Sequence, residues 1–297
     1  RNNHRTPGAA RESLHMLGGG GMFLPENAPD VVNAKITFDP LDKFIWAAHP
    51  WGLGFNGGPS FAPPRYVTDY LTDEAIRGIE ANRHRPFFMY LSYNAPHTPL
   101  QATKEDYDAL PQIGDHTLRV YAAMIRSLDR NVGRVLDALK ANGLDDNTLV
   151  VFTSDNGGAH YIGLPDINRP YRGWKATFFE GGVRVPFFMR WPGTVPAATK
   201  LAAPVSHFDI FATALAAAGV PLPTDRKIDG VDLLPYVTGQ QAGRPHETLF
   251  YRSGPYLAVR SGNWKLQVTE RPAQDWLFDL ASDPTEKSNV AAANPQK

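Results

Sequence analysis

Cysteine is missing from all 297 residues of the chain, which removes disulfides, thiolate metal sites and cysteine nucleophiles at once. Compartment stays open, because cytosolic and periplasmic proteins alike can lack cysteine. An excess of charge is missing too: 30 Lys and Arg stand against 30 Asp and Glu. No long-range attraction to phosphate backbones or anionic lipid follows, so nucleic acid is not an expected partner. No apolar run approaches the roughly 20 residues that span a bilayer. The opening Arg1-Asn2-Asn3-His4-Arg5 has no methionine, no apolar signal core and no cleavage pattern, and it reads as the start of a soluble chain cut or processed at its N-terminus.

What is present is ordinary for a globular protein, with 42% apolar and 20% charged residues. That is enough for one large α/β domain, alone or with a small one. Residues 38–66 are dense in Pro, Gly and aromatics, including Trp46, Trp51, Phe55 and Phe61, which suggests a long packed excursion that shapes a binding rim. Apolar positions at Leu71, Ala75, Ile76 and Ile79 predict a helix from residue 68 or 72 to about 82. Residues 86–93, apolar almost throughout, predict a buried strand. Leu118, Tyr121, Ile125, Leu128, Val132, Val135 and Leu139 alternate at three and four, a strong helix with Gly143 at its C-terminal cap.

Residues 148–154 and 185–191 predict two further strands. Ser206 to Asp209 has capping-box spacing before a helix over 210–218, closed by Gly219. Strands apolar on both faces, alternating with amphipathic helices, predict a mainly parallel central sheet flanked by helices. After residue 245 short segments separated by turn residues predict a small antiparallel sheet. The expected organisation is an α/β domain over 1–245 and a small antiparallel subdomain over 246–297.

Three strings carry candidate chemistry. In Ser154-Asp155-Asn156-Gly157-Gly158 a strand delivers a carboxylate and an amide at its carboxyl end, where ligands bind in open α/β sheets. Neighbouring strand residues face opposite ways, and the glycines permit the turn that lets both side chains share one ligand. Such oxygens suit Ca²⁺ or Mg²⁺ rather than zinc; the same string also serves as a strand-end turn whose side chains satisfy backbone donors. In Asn94-Ala95-Pro96-His97-Thr98-Pro99 two prolines restrict a loop and hold the His97 imidazole in one direction, fit to donate a hydrogen bond or a proton to a leaving group, or simply to support the loop. Lys175 stands in an aromatic, glycine-punctuated segment, where its ammonium could meet an anionic oxygen or remain an ordinary surface charge. His49 and His160 lie near these strings.

Together these strings resemble the sulfatase family of the alkaline-phosphatase-like superfamily. The matches run in order: Tyr-Leu-Thr-Asp-Glu-Ala at 70–75, Tyr-Asn-Ala-Pro-His-Thr-Pro at 93–99, Ser-Leu-Asp-Arg-Asn-Val-Gly at 127–133 and Thr-Ser-Asp-Asn-Gly-Gly at 153–158. Gly-Trp-Lys at 173–175, Glu-Gly-Gly-Val-Arg-Val-Pro at 180–186 and Leu-Phe-Asp-Leu-Ala-Ser-Asp-Pro-Thr-Glu-Lys at 277–287 complete the set. The resemblance implies a sulfuric ester hydrolase of arylsulfatase type, in which a formylglycine attacks sulfur and a divalent cation, usually Ca²⁺, binds the sulfate. It makes Asp155 and Asn156 metal ligands, and His97 and Lys175 contacts to the sulfate and leaving-group oxygens. His160 and Trp51 are carried as substrate contacts, Trp51 with Trp46 and Phe55 pointing to an apolar or ring-shaped group. The substrate class is a small-molecule or saccharide sulfate ester, and the compartment periplasmic or secreted.

The chain also departs from the family pattern. The nucleophile motif, a Cys or Ser followed shortly by Pro-Ser-Arg, is not in it, nor the early acidic pair that supplies other metal ligands, nor the Lys-Trp-His-Leu-Gly-like segment. Ser60 follows a proline without the arginine, and His15-Met16-Leu17-Gly18 is only superficially similar to the last segment. The expectation is that an absent N-terminal segment supplies the nucleophile and that this chain alone is inactive. A phosphodiesterase or phosphonate monoester hydrolase of the same superfamily, or a non-catalytic binding protein, are the alternatives.

Overall fold

Leu71, Ala75 and Ile79 make the helix their spacing predicts, α1 (Val67–Asn82), and all three are buried. The helix lies in the first of two units, Arg1–Leu144 with Tyr161–Leu164; the second is Asp145–His160 with Pro165–Lys297. The computed structural model describes residues 14–17, 28–36, 38, 43, 52–56 and 58–297; Trp46, His49 and Trp51 lie outside them.

In the first unit β1 (Leu14–Leu17), β3 (Gly52–Phe55) and β4 (Ser60–Phe61) form one antiparallel sheet. A second antiparallel pair joins β2 (Val31–Ala34) to β5 (Leu100–Thr103), and Ala34, Leu100 and Ala102 pack with Val120, Ala123 and Met124. The last three belong to α3 (His116–Ala141), which follows the short α2 (Lys104–Asp108). The C-terminal end of α3 is as expected, and Asp115 caps its N-terminus. The Asp115 carboxylate accepts the Leu118 N–H at 2.7 Å, and Gly143 takes φ +68°, a left-handed position that glycine enters without a Cβ clash.

The buried face of α3 differs from the predicted one. Val120, Ala123, Met124, Ser127, Asn131 and Leu139 are buried, while Leu118 and Ile125 are 41% and 43% exposed. The cause is ionic. Asp69 of α1 and Asp106 of α2 are buried carboxylates, and stranding either would cost several kcal/mol. Arg130 of α3 donates to both, at 3.0 and 2.9 Å, and the Asn131 amide reaches Asp69 at 2.8 Å. The helix therefore turns polar side chains inward.

Residues 86–93 take no regular structure and join no ladder among the described residues. Phe87, Met89 and Leu91 are half-buried, whereas Phe88 and Tyr90 are 78% and 83% exposed, so the expected burial of both faces is corrected. Every ladder among the described residues is antiparallel, and the mainly parallel central sheet does not appear among them. Apolar faces report burial; direction is set by the neighbouring strand, and residues 86–93 have none there.

In the second unit β6 (Val150–Thr153) pairs antiparallel with β7 (Phe187–Arg190), after the single-turn α4 (Glu180–Val183). Then come α5 (Asp209–Ala217) and α6 (Leu234–Val237). The Ser206 N–H donates to Asp209 Oδ2 at 2.8 Å, half of the predicted capping box, while Asp209 Oδ1 accepts from the Val231 N–H at 3.0 Å and from His246 Nε2 at 2.7 Å. The C-terminal sheet is the predicted antiparallel meander: β8 (Thr248–Ser253), β9 (Tyr256–Ser261), β10 (Trp264–Glu270) and β11 (Ala273–Asp279), in spatial order β11-β10-β9-β8.

A buried ionic cluster ties this sheet to α4. Lys265 Nζ of β10 lies 2.9 Å from Glu180 Oε1 and 3.0 Å from Glu286 Oε1, with all three residues buried. Glu286 also accepts the Glu180 backbone N–H, and Arg184 and Arg260 stand 3.6 and 3.8 Å from Glu180 Oε2. Burial pushes the Glu286 carboxyl above its usual range, while Lys265 pulls it down. Raised in the folded state, this carboxyl stabilises fully below its unfolded pKa, and the contribution is lost as pH rises through the folded value. Lys265→Met leaves two buried carboxylates facing each other and is expected to cost about 3–5 kcal/mol at neutral pH, read from the urea midpoint. The deficit should shrink as pH falls through the carboxylate range, because protonation removes the stranded charge; an unchanged midpoint at neutral pH contradicts the cluster's role.

Candidate active site

Strand β6 ends at Thr153, and the chain turns at once. The Thr153 hydroxyl donates to the Pro186 carbonyl at 2.9 Å, and His207 Nε2 lies 2.9 Å from the Ser154 carbonyl oxygen. A carbonyl only accepts, so that ring nitrogen carries a proton. Asp155 is exposed and Asn156 half-buried. The Asn156 N–H donates to Asp155 Oδ1 at 2.9 Å, which folds the carboxylate back over the turn. Asn156 Nδ2 donates to the Gly157 carbonyl at 3.0 Å. The turn thus does satisfy backbone donors, and it also leaves two oxygen-bearing groups side by side.

Gly157 is where the turn meets α4. Its N–H donates to the Gly182 carbonyl at 3.0 Å, and a Cβ there would stand 1.8 Å from the Gly181 carbonyl oxygen. Only a glycine permits that approach. The Gly158 carbonyl accepts the Lys175 N–H at 3.1 Å, which places the half-buried Lys175 beside the Asp155–Asn156 turn. The Asn168 amide joins the same spot: Oδ1 accepts the Gly158 N–H at 2.8 Å, and Nδ2 donates to the Gly158 and Gly173 carbonyls at 2.9 and 3.1 Å. Trp174, 41% exposed, carries the His160 ring against its indole, with centroids 4.3 Å apart.

His97 belongs to the first unit, whereas Asp155, Asn156, His160 and Lys175 belong to the second. Its Nδ1 lies 2.7 Å from the Thr98 carbonyl oxygen. By the same reasoning the His97 Nδ1 is protonated. Thr98 is buried, so the predicted restraint of the His97 ring rests on a fixed acceptor. Trp51 falls outside the described residues. Asn168 and His207 were not singled out by sequence: one is a polar residue in a loop, the other looked like a member of a capping box.

Hard oxygens from Asp155 and Asn156 fit Ca²⁺ or Mg²⁺, but they supply two of the six to eight ligands that Ca²⁺ takes. Among the described residues no group of three or more His, Cys, Asp or Glu comes together to hold a metal.

The sulfatase family model matches residues 29–220, a span that contains His97, the Asp155–Asn156 turn and Lys175. The chain belongs to the sulfatase family. A second model, N-sulphoglucosamine sulphohydrolase, C-terminal, matches residues 172–297 and so takes in the C-terminal sheet. Among curated sulfatases the chain is 33% identical to uncharacterized sulfatase YdeN of Escherichia coli (strain K12) over 85% of its own length and 53% of that protein. It is 40% identical to the steryl-sulfatase of Homo sapiens, over 65% of its own length and 33% of that protein. The chain therefore spans about half, or less, of the curated relatives it matches. The crystal structure of Ps i-CgsB in complex with k-i-k-neocarrahexaose superposes with a TM-score of 0.80 and 32% identity, covering 96% of this chain and 63% of that one. Phosphonate monoester hydrolase SpPMH from Silicibacter pomeroyi shares the fold, with a TM-score of 0.62 and 22% identity over 80% of this chain and 59% of that one. The α/β sulfatase fold with its C-terminal antiparallel sheet is thereby assigned, and no helix among the described residues is long and apolar enough to cross a membrane.

The backbone contact at Gly157 is open to test. Gly157→Ala should destabilise by about 1–3 kcal/mol or more, since backbone must move to admit the methyl. Gly133→Ala, inside α3 with nothing within 4 Å of the added Cβ, should stabilise by about 0.5–1 kcal/mol. Thermal unfolding compares the two; similar small effects contradict the close approach.

Proposed function

We propose that this chain is part of a sulfuric ester hydrolase in which Asp155 and Asn156 hold a divalent cation, Ca²⁺ or Mg²⁺, and Lys175 and His97 serve the sulfate and the leaving group. The observation that supports this is the Gly158–Lys175 backbone bond, 3.1 Å long, which ties the Lys175 main chain to the turn that carries Asp155 and Asn156 in a sulfatase-family chain. When bound, a divalent cation and a formylglycine would supply charge neutralisation on the sulfate and attack on its sulfur. The formylglycine and the remaining metal ligands are proposed to come from the part of the relatives' length that this chain does not span. Strands from that part would complete a mainly parallel central sheet around residues 86–93, with residues 246–297 forming the small C-terminal subdomain.

Lys175, as an ammonium, donates to sulfate oxygens and meets charge that grows as the S–O bond breaks. His97, with Nδ1–H held by the Thr98 carbonyl, donates the proton on Nε2 of its imidazolium form to the departing alkoxide or phenoxide. The products are an alcohol or phenol and sulfate. His160 with Trp174 offers a flat aromatic edge to the substrate, and we extend the role of the rim to Trp51. A saccharide sulfate ester is the favoured class, supported by the oligosaccharide complex of Ps i-CgsB. Residence in the periplasm or outside the cell is proposed from the family.

The whole protein is expected to hydrolyse an aryl sulfate in a Ca²⁺-dependent manner, and the 297-residue chain alone no faster than buffer. Asp155→Ala should lower Ca²⁺ affinity and kcat/KM together, each about 10–100-fold or more. Lys175→Ala should lower kcat about 10²–10³-fold while Ca²⁺ affinity holds. Calorimetric Ca²⁺ titration and initial rates read these out. Unchanged Ca²⁺ affinity and full activity in Asp155→Ala would remove the metal assignment, and preference for an aryl phosphonate over the aryl sulfate would move the reaction to phosphonate monoester hydrolysis.

A further inference from the structure

We infer that Asn168 is a positioning residue that sets the distance between the cation-binding turn and Lys175, an inference resting on the hydrolase reading above. Three of its hydrogen bonds go to backbone on both sides of that gap. Oδ1 accepts from the Gly158 N–H at 2.8 Å and Nδ2 donates to the Gly158 carbonyl at 2.9 Å, so the amide pairs with Gly158 as a strand neighbour would. The second Nδ2 hydrogen goes to the Gly173 carbonyl at 3.1 Å. Gly158, three residues past Asp155, and Gly173, two before Lys175, are thus gripped by one rigid planar group.

The circuit closes through the ligand side. The Gly158 carbonyl also accepts the Lys175 N–H at 3.1 Å, so its two lone pairs serve Asn168 and Lys175. Steric limits hold the pieces against each other. A Cβ on Gly158 would fall 2.8 Å from Ile167 Cγ2 and 3.1 Å from Asn168 Oδ1, and one on Gly173, at φ +86°, 2.6 Å from Phe179 Cβ. Neither glycine can drift without losing an Asn168 bond. Half-buried, with no atom assigned to the substrate, Asn168 acts through what it holds.

The side-chain type is demanded by the bonding. A carboxamide offers an acceptor to one N–H and two donors to two carbonyls. An aspartate in its place would have the same shape but would turn a carboxylate oxygen toward both carbonyls, which repels where the amide binds. Asn168→Asp therefore cuts the circuit with little change in volume, and Asn168→Ala cuts it without adding charge.

In the whole protein, Asn168→Asp and Asn168→Ala are compared with wild type, with Lys175→Ala and with the double variants, by Ca²⁺ titration and steady-state kinetics on an aryl sulfate. Asp166→Ala, a change of an exposed residue in the same loop, serves as the control and should match wild type. Each Asn168 variant is expected to lose about ten-fold in Ca²⁺ affinity and about 10–100-fold in kcat. In the Lys175→Ala background the same change should cost no more than a few-fold in kcat, because no lysine remains to be misplaced. A residue that merely stabilises the loop would lower the melting temperature and reduce kcat equally in both backgrounds with Ca²⁺ affinity intact; that result overturns the inference while wild type remains an active sulfatase. Should Asn168→Asp fail to fold, the Asn168→Ala pair decides. A wild-type protein that neither binds Ca²⁺ nor cleaves the ester takes the hydrolase reading down and this inference with it.

Discussion

Lys265 reaches from the C-terminal sheet to two buried carboxylates, and the placement of the candidate site follows from that contact. Glu180 is the first residue of α4, so holding its carboxylate holds the whole single turn. Such a turn has almost no stability of its own, since fixing the first turn of a helix sets several dihedrals for one hydrogen bond. Glu286 contributes from the other side by accepting the Glu180 N–H, a donor that the helix itself cannot satisfy. The small sheet thereby acts as the support against which the loop of Lys175 is built.

From α4 the constraint passes to the site through backbone rather than side chains. Gly181 and Gly182 approach Arg172 and Gly157 so closely that no Cβ fits between them. Close packing of bare backbone leaves little room for adjustment, because peptide groups in contact cannot change rotamer. The Asp155–Asn156 turn is thus located by α4, and Lys175 by its bond to Gly158. A metal–sulfate site needs this kind of preset geometry, since charge stabilisation that costs no reorganisation is what lowers a barrier.

Much of this was legible in the sequence where a periodic pattern meets a single physical cause. The helix at 67–82, the C-terminal end of α3 and the C-terminal antiparallel sheet follow from apolar spacing and turn residues. The Asp155–Asn156 turn was legible too, because two glycines after a strand release the chain into a turn. The face of α3 was not, since Arg130 and Asn131 are drawn inward by carboxylates from other helices, and no local pattern reports them. The expectation of parallel strands was not met for a related reason: residues 86–93 join no ladder among the described residues and 150–153 pairs antiparallel, and apolar residues reveal that a strand is covered, not which neighbour runs beside it. Asn168 was invisible because its bonds go to main chain ten and five residues away, and any loop asparagine looks the same.

The proposed site is one arrangement, two hard oxygens on a cation and an ammonium on the sulfate that the cation binds. A crystal structure of the whole protein with Ca²⁺ and a sulfate ester tests it most directly. The expected result is a cation about 2.3–2.6 Å from side-chain oxygens of both Asp155 and Asn156, with Lys175 Nζ in hydrogen-bond contact with the bound sulfate. A cation bound elsewhere, with these two residues facing solvent and Lys175 turned from the sulfate, contradicts it.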